Sequence, residues 1–368
     1  MTAANFRRSH GPLLTRGLLC FMLLVAAGCG SARVPVKEVD LTGEPPEQLS
    51  EYGLFLGNGA TQEPAAGVVP YDLNSALFSD YAYKYRFVRL PPGTSATYSE
   101  NDVFQFPVGT IIVKTFAYPH DMRDLSQGQR LLETRLLILK ADGWVGLPYV
   151  WNDEQTEATL KVAGGARDVH WVHTDGKERK VNYLIPNTNQ CLGCHENSKV
   201  MSPIGPKARN LNKDFAYADG AENQLAHWQK IGCLSGAPAP AQAPRLPVWD
   251  DPATGAVAER ARAWLEINCA HCHNPRGPAR TSGLDLMASQ TDRYQQGIWK
   301  TPIAAGRGSG GRYYDIVPGK PDESILAYRI ASTELGVMMP ELSRRLVNEE
   351  GVALVREWIA GLKDTRHQ

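Results

Sequence analysis

Apolar runs with strand character dominate residues 51 to 183. Ile111-Ile112-Val113-Lys114-Thr115-Phe116 and Leu131-Leu132-Glu133-Thr134-Arg135-Leu136-Leu137-Ile138-Leu139 are β-branched or aliphatic and bounded by Gly, Pro and Asp. Tyr149-Val150-Trp151 and Ala158-Thr159-Leu160-Lys161-Val162 continue the pattern. Short strands separated by turn residues predict a β-sandwich-like domain over 51–183. The Leu131 run alone would also suit a helix, but its setting favours a strand. Strand signals thin out over 184–236. Residues 237–252 are rich in Pro and Ala and predict a stiff interdomain linker. Beyond it the period turns helical. A helix from Val257 to Ile267 leads straight into Cys269, and Pro321 with Asp322 and Glu323 suits the first turn of another running through Tyr328. The last helix carries Val352, Val355, Ile359 and Leu362 on one stripe. The expected fold is multidomain α+β, with the N-terminal β-sandwich-like domain, a middle segment and an all-α C-terminal domain over 253–368.

The first 28 residues read as an export signal. Arg7, Arg8 and Arg16 form a basic start, and Gly17 to Ala27 is an apolar core too short to span a bilayer. That core runs into Ala26-Ala27-Gly28-Cys29, which resembles a bacterial lipobox and makes Cys29 a candidate for acylation. Residues 29–50 are then a polar, Pro-containing tether. The chain has 39 basic and 39 acidic residues. Loss of the three signal arginines would leave 36 against 39, a net charge of −3. Such a balance carries no nucleic-acid footprint. The expected location is the periplasmic face of a bacterial membrane, lipid-anchored to the outer membrane, with lipid on Cys29 as the membrane contact.

Seven cysteines need explaining. Cys20 belongs to the signal, Cys29 is the lipid candidate and Cys233 stands alone, with a buried free thiol as its default. The other four form Cys191-Leu192-Gly193-Cys194-His195 and Cys269-Ala270-His271-Cys272-His273. Covalent haem attachment needs two thiols that add across the two vinyl groups, followed at once by an imidazole for the iron. Both groups meet that requirement. A zinc knuckle would pair Cys-x-x-Cys groups about 15–20 residues apart, far closer than Cys194 and Cys269. A thioredoxin-like dithiol would need a βαβ unit around it, and neither motif has one. The expected cofactors are two covalently attached haem c groups, with His195 and His273 as iron ligands. His271 occupies an x position and is read as a solvent-facing or propionate-side residue.

The surroundings of the second motif resemble a class I cytochrome c domain from about Pro252 to Leu362. That resemblance implies His273 as proximal ligand and Met339, in Gly336-Val337-Met338-Met339-Pro340, as distal ligand, with Met338 next to it as the fallback. From Glu51 onward the chain also resembles a family of bacterial di-haem c-type cytochromes with an N-terminal β-domain. Tyr71-Asp72-Leu73-Asn74, Phe106-Pro107-Val108-Gly109-Thr110, Leu132-Glu133-Thr134-Arg135, Tyr149-Val150-Trp151-Asn152 and Pro203-Ile204-Gly205-Pro206-Lys207 carry it. The resemblance implies haem count and architecture but no substrate.

For the distal side of the first haem, His227 is the favoured candidate because a gap of 32 residues after His195 allows the chain to wrap round. Met201 follows too closely, and an open position is the remaining option. The leading functional expectation is electron transfer with redox proteins: a dehydrogenase, a quinone oxidoreductase or another cytochrome. A haem enzyme, peroxidase-like or an oxidoreductase subunit, with an open first haem is the second reading. A β-domain that recognises a partner, through Trp144, Tyr149, Trp151 and Trp171, is the third. Arg135, His170 and His173 are read as structural; the two histidines would face opposite sides of a strand.

Overall fold

The computed structural model describes residues 39–364. Its centre is a six-stranded antiparallel sheet in the order β1-β2-β4-β5-β6-β7. The strands are β1 (Val68–Pro70), β2 (Tyr83–Arg89), β4 (Ile111–Pro119), β5 (Gln129–Lys140), β6 (Gly143–Trp151) and β7 (Ala158–Leu160). The short β3 (Ala96–Thr97), in the excursion between β2 and β4, pairs with a later segment. β4 is apolar almost throughout and buried on both faces, as a central strand must be when each side of the sheet is covered.

One face packs Phe87, Val113, Leu136, Tyr149 and Trp151 under the irregular N-terminal segment that carries Leu49, Tyr52 and Leu54. The opposite face is closed in two parts. The hairpin β8 (Gly165–Val172) and β9 (Glu178–Ile185) lays Val169, Trp171, Val181 and Tyr183 over Phe116 and Leu132. The rest is covered by the cysteine-bearing segments. These comprise α1 (Thr188–His195), the pair β10 (Glu196–Asn197) and β11 (Val200–Met201), and α2 (Ala208–Leu211). The hairpin β12 (Asp214–Tyr217) and β13 (Gly220–Asn223) follows, then α3 (Gln224–Lys230) and β14 (Leu234–Ser235), which pairs in parallel with β3. After Pro252 come α4 (Val257–Asn268), α5 (Ile325–Ile330) and α6 (Glu349–Gly361), with short 3-10 turns between them.

Two fold expectations are corrected here. The β part is not a sandwich: one sheet dominates, and its second face is closed by irregular chain and helices rather than by a second large sheet. Strand periodicity reports that a face is buried but not what buries it. Nor is there an all-α class I cytochrome c domain at the C-terminus. The described chain is mostly β, and the C-terminal part has two helices of some length and one of six residues, linked by long irregular stretches. α4 and α6 share a small core around Trp264, Leu265, Val355 and Trp358. The remainder of this part is fastened to the β region. Phe78 N–H donates to Asn268 Oδ1 at 2.7 Å, and the N–H groups of Arg345 and Leu346 both donate to Asp80 Oδ1 at 2.7 Å. The described residues form a single compact unit. The Pro/Ala-rich stretch is also held to the body. Asn212 Nδ2 donates to the carbonyls of Pro240 and Ala243, and Leu246 N–H donates to that of Arg209.

Among the described residues no helix is long and apolar enough to cross a membrane. Cys29 and the signal-like segment lie outside the described residues.

Candidate functional site

The first motif is presented by α1. Asn187 caps this helix by accepting from Gln190 N–H, and the Gln190 side chain accepts from Asn187 N–H in return. The helix settles Cys191 over Gly146 of β6, where a Cβ would meet Cys191 Sγ at 3.2 Å. Glycine is needed there for close approach, not for its backbone freedom. At the end of α1, His195 Nδ1 lies 2.8 Å from the Ser202 carbonyl oxygen. A carbonyl can only accept, so Nδ1 carries the proton and Nε2 is left with its lone pair. Burial pulls His195 down to about 4, which keeps the imidazole neutral.

The second motif is delivered by α4. Its last turn ends at Asn268, Cys269 N–H still donates to the Leu265 carbonyl, and His273 N–H donates to that of Cys269. His273 Nδ1 lies 3.0 Å from Ser282 Oγ, while the Ser282 hydroxyl donates to the Ala279 carbonyl at 2.7 Å. The hydroxyl proton is therefore committed, and Ser282 accepts from His273 Nδ1–H. The tautomer matches that of His195. Burial draws His273 down to about 4 as well and pushes the Cys269 thiol up to about 12. All five described cysteines are free thiols.

Each motif opens on its own cleft. The first encloses about 1430 Å³ of free space, mouth included, and is lined by Cys191, Cys194 and His195. The second encloses about 1110 Å³ and is lined by Cys269, Cys272 and His273. Their walls are shared: Cys194, His271, Met339 and Leu342 line both. The motifs also touch directly. Cys194 and Cys272 lie close enough to perturb each other, Cys194 being drawn down and Cys272 pushed up, and His271 adds to the lowering of Cys194. Cys272 Sγ lies 3.9 Å from the Gly193 carbonyl oxygen. Of the two readings of His271, the solvent-facing one does not hold: its Nδ1 is buried without a partner between the two motifs.

Met339 lines both clefts, whereas Met338 is buried and lines neither. The Met339 segment is clamped by Arg344, whose Nε and Nη2 donate to the Met339 carbonyl at 3.1 and 2.8 Å. Met339 N–H donates to the Arg329 carbonyl. The structure does not bring His227 to the site. It lies on α3, its Nδ1 2.8 Å from Glu222 Oε2 and its ring stacked 3.5 Å over Tyr217, and it lines neither cleft. Met201 on β11 lines neither cleft either. Cys233 sits half-buried beside the core around Trp228, its thiol pushed up by burial.

One group of lining residues was not singled out from the sequence as a site. Arg86 on β2, Lys114 on β4 and Arg135 on β5 are direct cross-strand partners, and all three face the first cleft. Like charges placed opposite one another destabilise a sheet, so such a row calls for compensation. Arg86 Nη1 pairs with Asp72 at 2.6 Å, and Arg135 Nη2 with Glu133 at 2.5 Å. The signal was present as charges inside otherwise apolar strand runs. Tyr149, Trp151 and Trp171 are buried in the core, and Trp144 packs on Phe106, so these aromatic residues form no exposed recognition face. His170 is exposed and His173 buried, as expected for opposite faces.

Compared with known proteins, the chain matches no family model, no curated protein and no solved structure. Among the described residues no group of three or more His, Cys, Asp or Glu converges as a metal cage would require. A haem iron makes no such demand, since its porphyrin supplies four ligands and the protein only the axial ones.

Proposed function

We propose that the protein is a di-haem c-type cytochrome that transfers electrons, with one haem at each Cys-x-x-Cys-His motif. The observation that carries this reading is the pairing of the motifs. Each joins free thiols to a neutral imidazole with Nδ1 fixed, and each opens on a cleft of predominantly apolar lining. Cys191 and Cys194 would hold the first haem and Cys269 and Cys272 the second, with His195 and His273 as the proximal ligands. Bound there, each iron would supply one-electron chemistry.

The chain's own residues then have definable tasks. The Ser202 carbonyl and Ser282 hydroxyl orient the imidazoles and raise their basicity toward iron. Met339, held by Arg344, would be the chain's second donor to the second haem's iron, where a thioether would favour the reduced state. Cys194, His271 and Leu342 form the partition across which an electron would pass between the haems. The protein contributes position and electrostatics rather than bond chemistry. The partners proposed are redox proteins on the exported side of a membrane, with Cys29 as lipid attachment.

The test is expression with cytochrome c maturation machinery, followed by a pyridine haemochrome assay after acid–acetone extraction. Two haems per chain should survive extraction. One or none would overturn the reading.

A further inference from the structure

The first cleft holds a lysine that the di-haem reading leaves without a task. The strand order places it tellingly. α1, which carries His195, packs on β6 above Gly146. Lys114 projects from β4 on the same face of the sheet, with β5 between. Neighbouring strands lie about 4.8 Å apart, so β4 and β6 are separated by about 10 Å. The cleft occupies that interval, with the motif helix on one side and Lys114 on the other.

The environment of Lys114 differs from that of its two cationic neighbours. Arg86 and Arg135 each own a carboxylate, but Lys114 Nζ makes no hydrogen bond or ion pair among the described residues. Its one close partner is the Phe116 ring, at 4.9 Å. Burial, Arg86 and Arg135 together pull the amine down to about 7. Two guanidiniums flank it in register, and their charge disfavours a third one on the lysine between them. Lys114 therefore lines the cleft with an amine that can present a lone pair near neutral pH.

Few other lining side chains could do the same. The Tyr71 phenol is pushed up to about 12 by burial and stays protonated. His271 lies beside Cys194, at the thiol edge. Met339 is the axial candidate of the second cleft, and guanidiniums do not coordinate iron. Resting on the di-haem reading, we propose that the amine of Lys114 is the sixth ligand of the first haem's iron, opposite His195.

The experiment compares the doubly loaded full-length protein with Lys114→Arg, Lys114→Met and His227→Ala. Haem count, electron paramagnetic resonance and the near-infrared ligand-to-metal bands are read on each. In the wild type, one haem should show a nitrogen–nitrogen low-spin signature and the other a sulfur band. Lys114→Arg keeps the positive charge but cannot ligate, so it should turn half of the total haem high-spin, open to added imidazole. Lys114→Met offers a thioether of similar reach and should about double the sulfur band. His227→Ala should leave every signal in place. A wild-type protein with half its haem high-spin would overturn the assignment, as would a Lys114→Arg protein that keeps the wild-type signature. Should Lys114→Arg not fold, an unchanged sulfur band in Lys114→Met with the nitrogen signature intact would overturn it equally. A wild-type haem count below two overturns the di-haem reading itself, which separates the two failures.

Discussion

Glu266 on α4 is the residue through which the second motif is tied to the middle of the chain. Its carboxylate is buried, and it receives Lys207 Nζ at 3.0 Å, Arg209 Nη1 at 3.6 Å and the Ala288 N–H at 2.7 Å. Burial pushes the carboxyl up, but Lys207, Arg209 and the Ala288 N–H outweigh it and hold Glu266 below the ordinary range. Glu266→Gln removes the charge and turns one acceptor into a donor. The new amide then faces either Arg209 and Ala288 N–H or Lys207, all of them donors. Breaking a buried pair by changing one partner costs about 3–5 kcal/mol. The remaining amide oxygen and the Arg209 bonds to Asn101 keep the loss near the lower end, about 3 kcal/mol. For a chain of more than 300 residues, whose unfolding entropy is about 0.7 kcal/mol/K, that corresponds to a fall in Tm of about 4 °C. The pH dependence has a definite sign. A depressed folded-state pKa contributes stability above the unfolded value of 4.5, and that stability is lost as the pH falls through the folded value. Thermal melts of the loaded protein should therefore show the gap between wild type and variant holding from pH 7 to about 4.5 and closing below it. A shift under about 1 °C at pH 7, or a gap that widens on acidification, would refute the reasoning.

Gly146→Val should lower the haem count from two to one without unfolding the sheet. Valine suits a strand, but its Cβ already meets Cys191 Sγ at 3.2 Å and its methyl groups need more room still. A haemochrome count of two in that variant would remove the steric argument. Met339→Ala should abolish the sulfur-to-iron band and lower one midpoint potential, whereas Met338→Ala should leave both unchanged; absorption with a redox titration decides.

Much of the fold was legible because periodicity reports burial directly. The Ile111 run is the two-faced central strand, the Val257 helix does lead into Cys269, and Val352, Val355 and Ile359 do face the core. The expected helix from Pro321 is a 3-10 turn, Pro321–Glu323, followed by α5. What the sequence withheld was mostly long-range. His227 has a suitable separation from His195, but its partners Glu222 and Tyr217 belong to the β12–β13 hairpin, which turns the ring away from the cleft. Arg86, Lys114 and Arg135 are unremarkable apart in the sequence. They form a row only through strand register, which is set by pairings that span 49 positions.

Interlocking of the motifs also explains why helical periodicity after Pro252 gave a misleading picture. The α4–α6 core is small, and the second cleft borrows Gly193 and Cys194 from the first motif for its wall. The first cleft in turn needs Met339, Leu342 and Arg344 from the C-terminal part to close over the sheet. Neither cleft is complete on residues from its own part of the chain. Under the di-haem reading this mutual closure has a functional consequence. Haems bonded to Cys194 and Cys272 would be held by neighbouring thiols on the two sides of one shared wall. Electron exchange between them would then be insensitive to how an external partner docks. Partner choice would act only on which outer edge is approached.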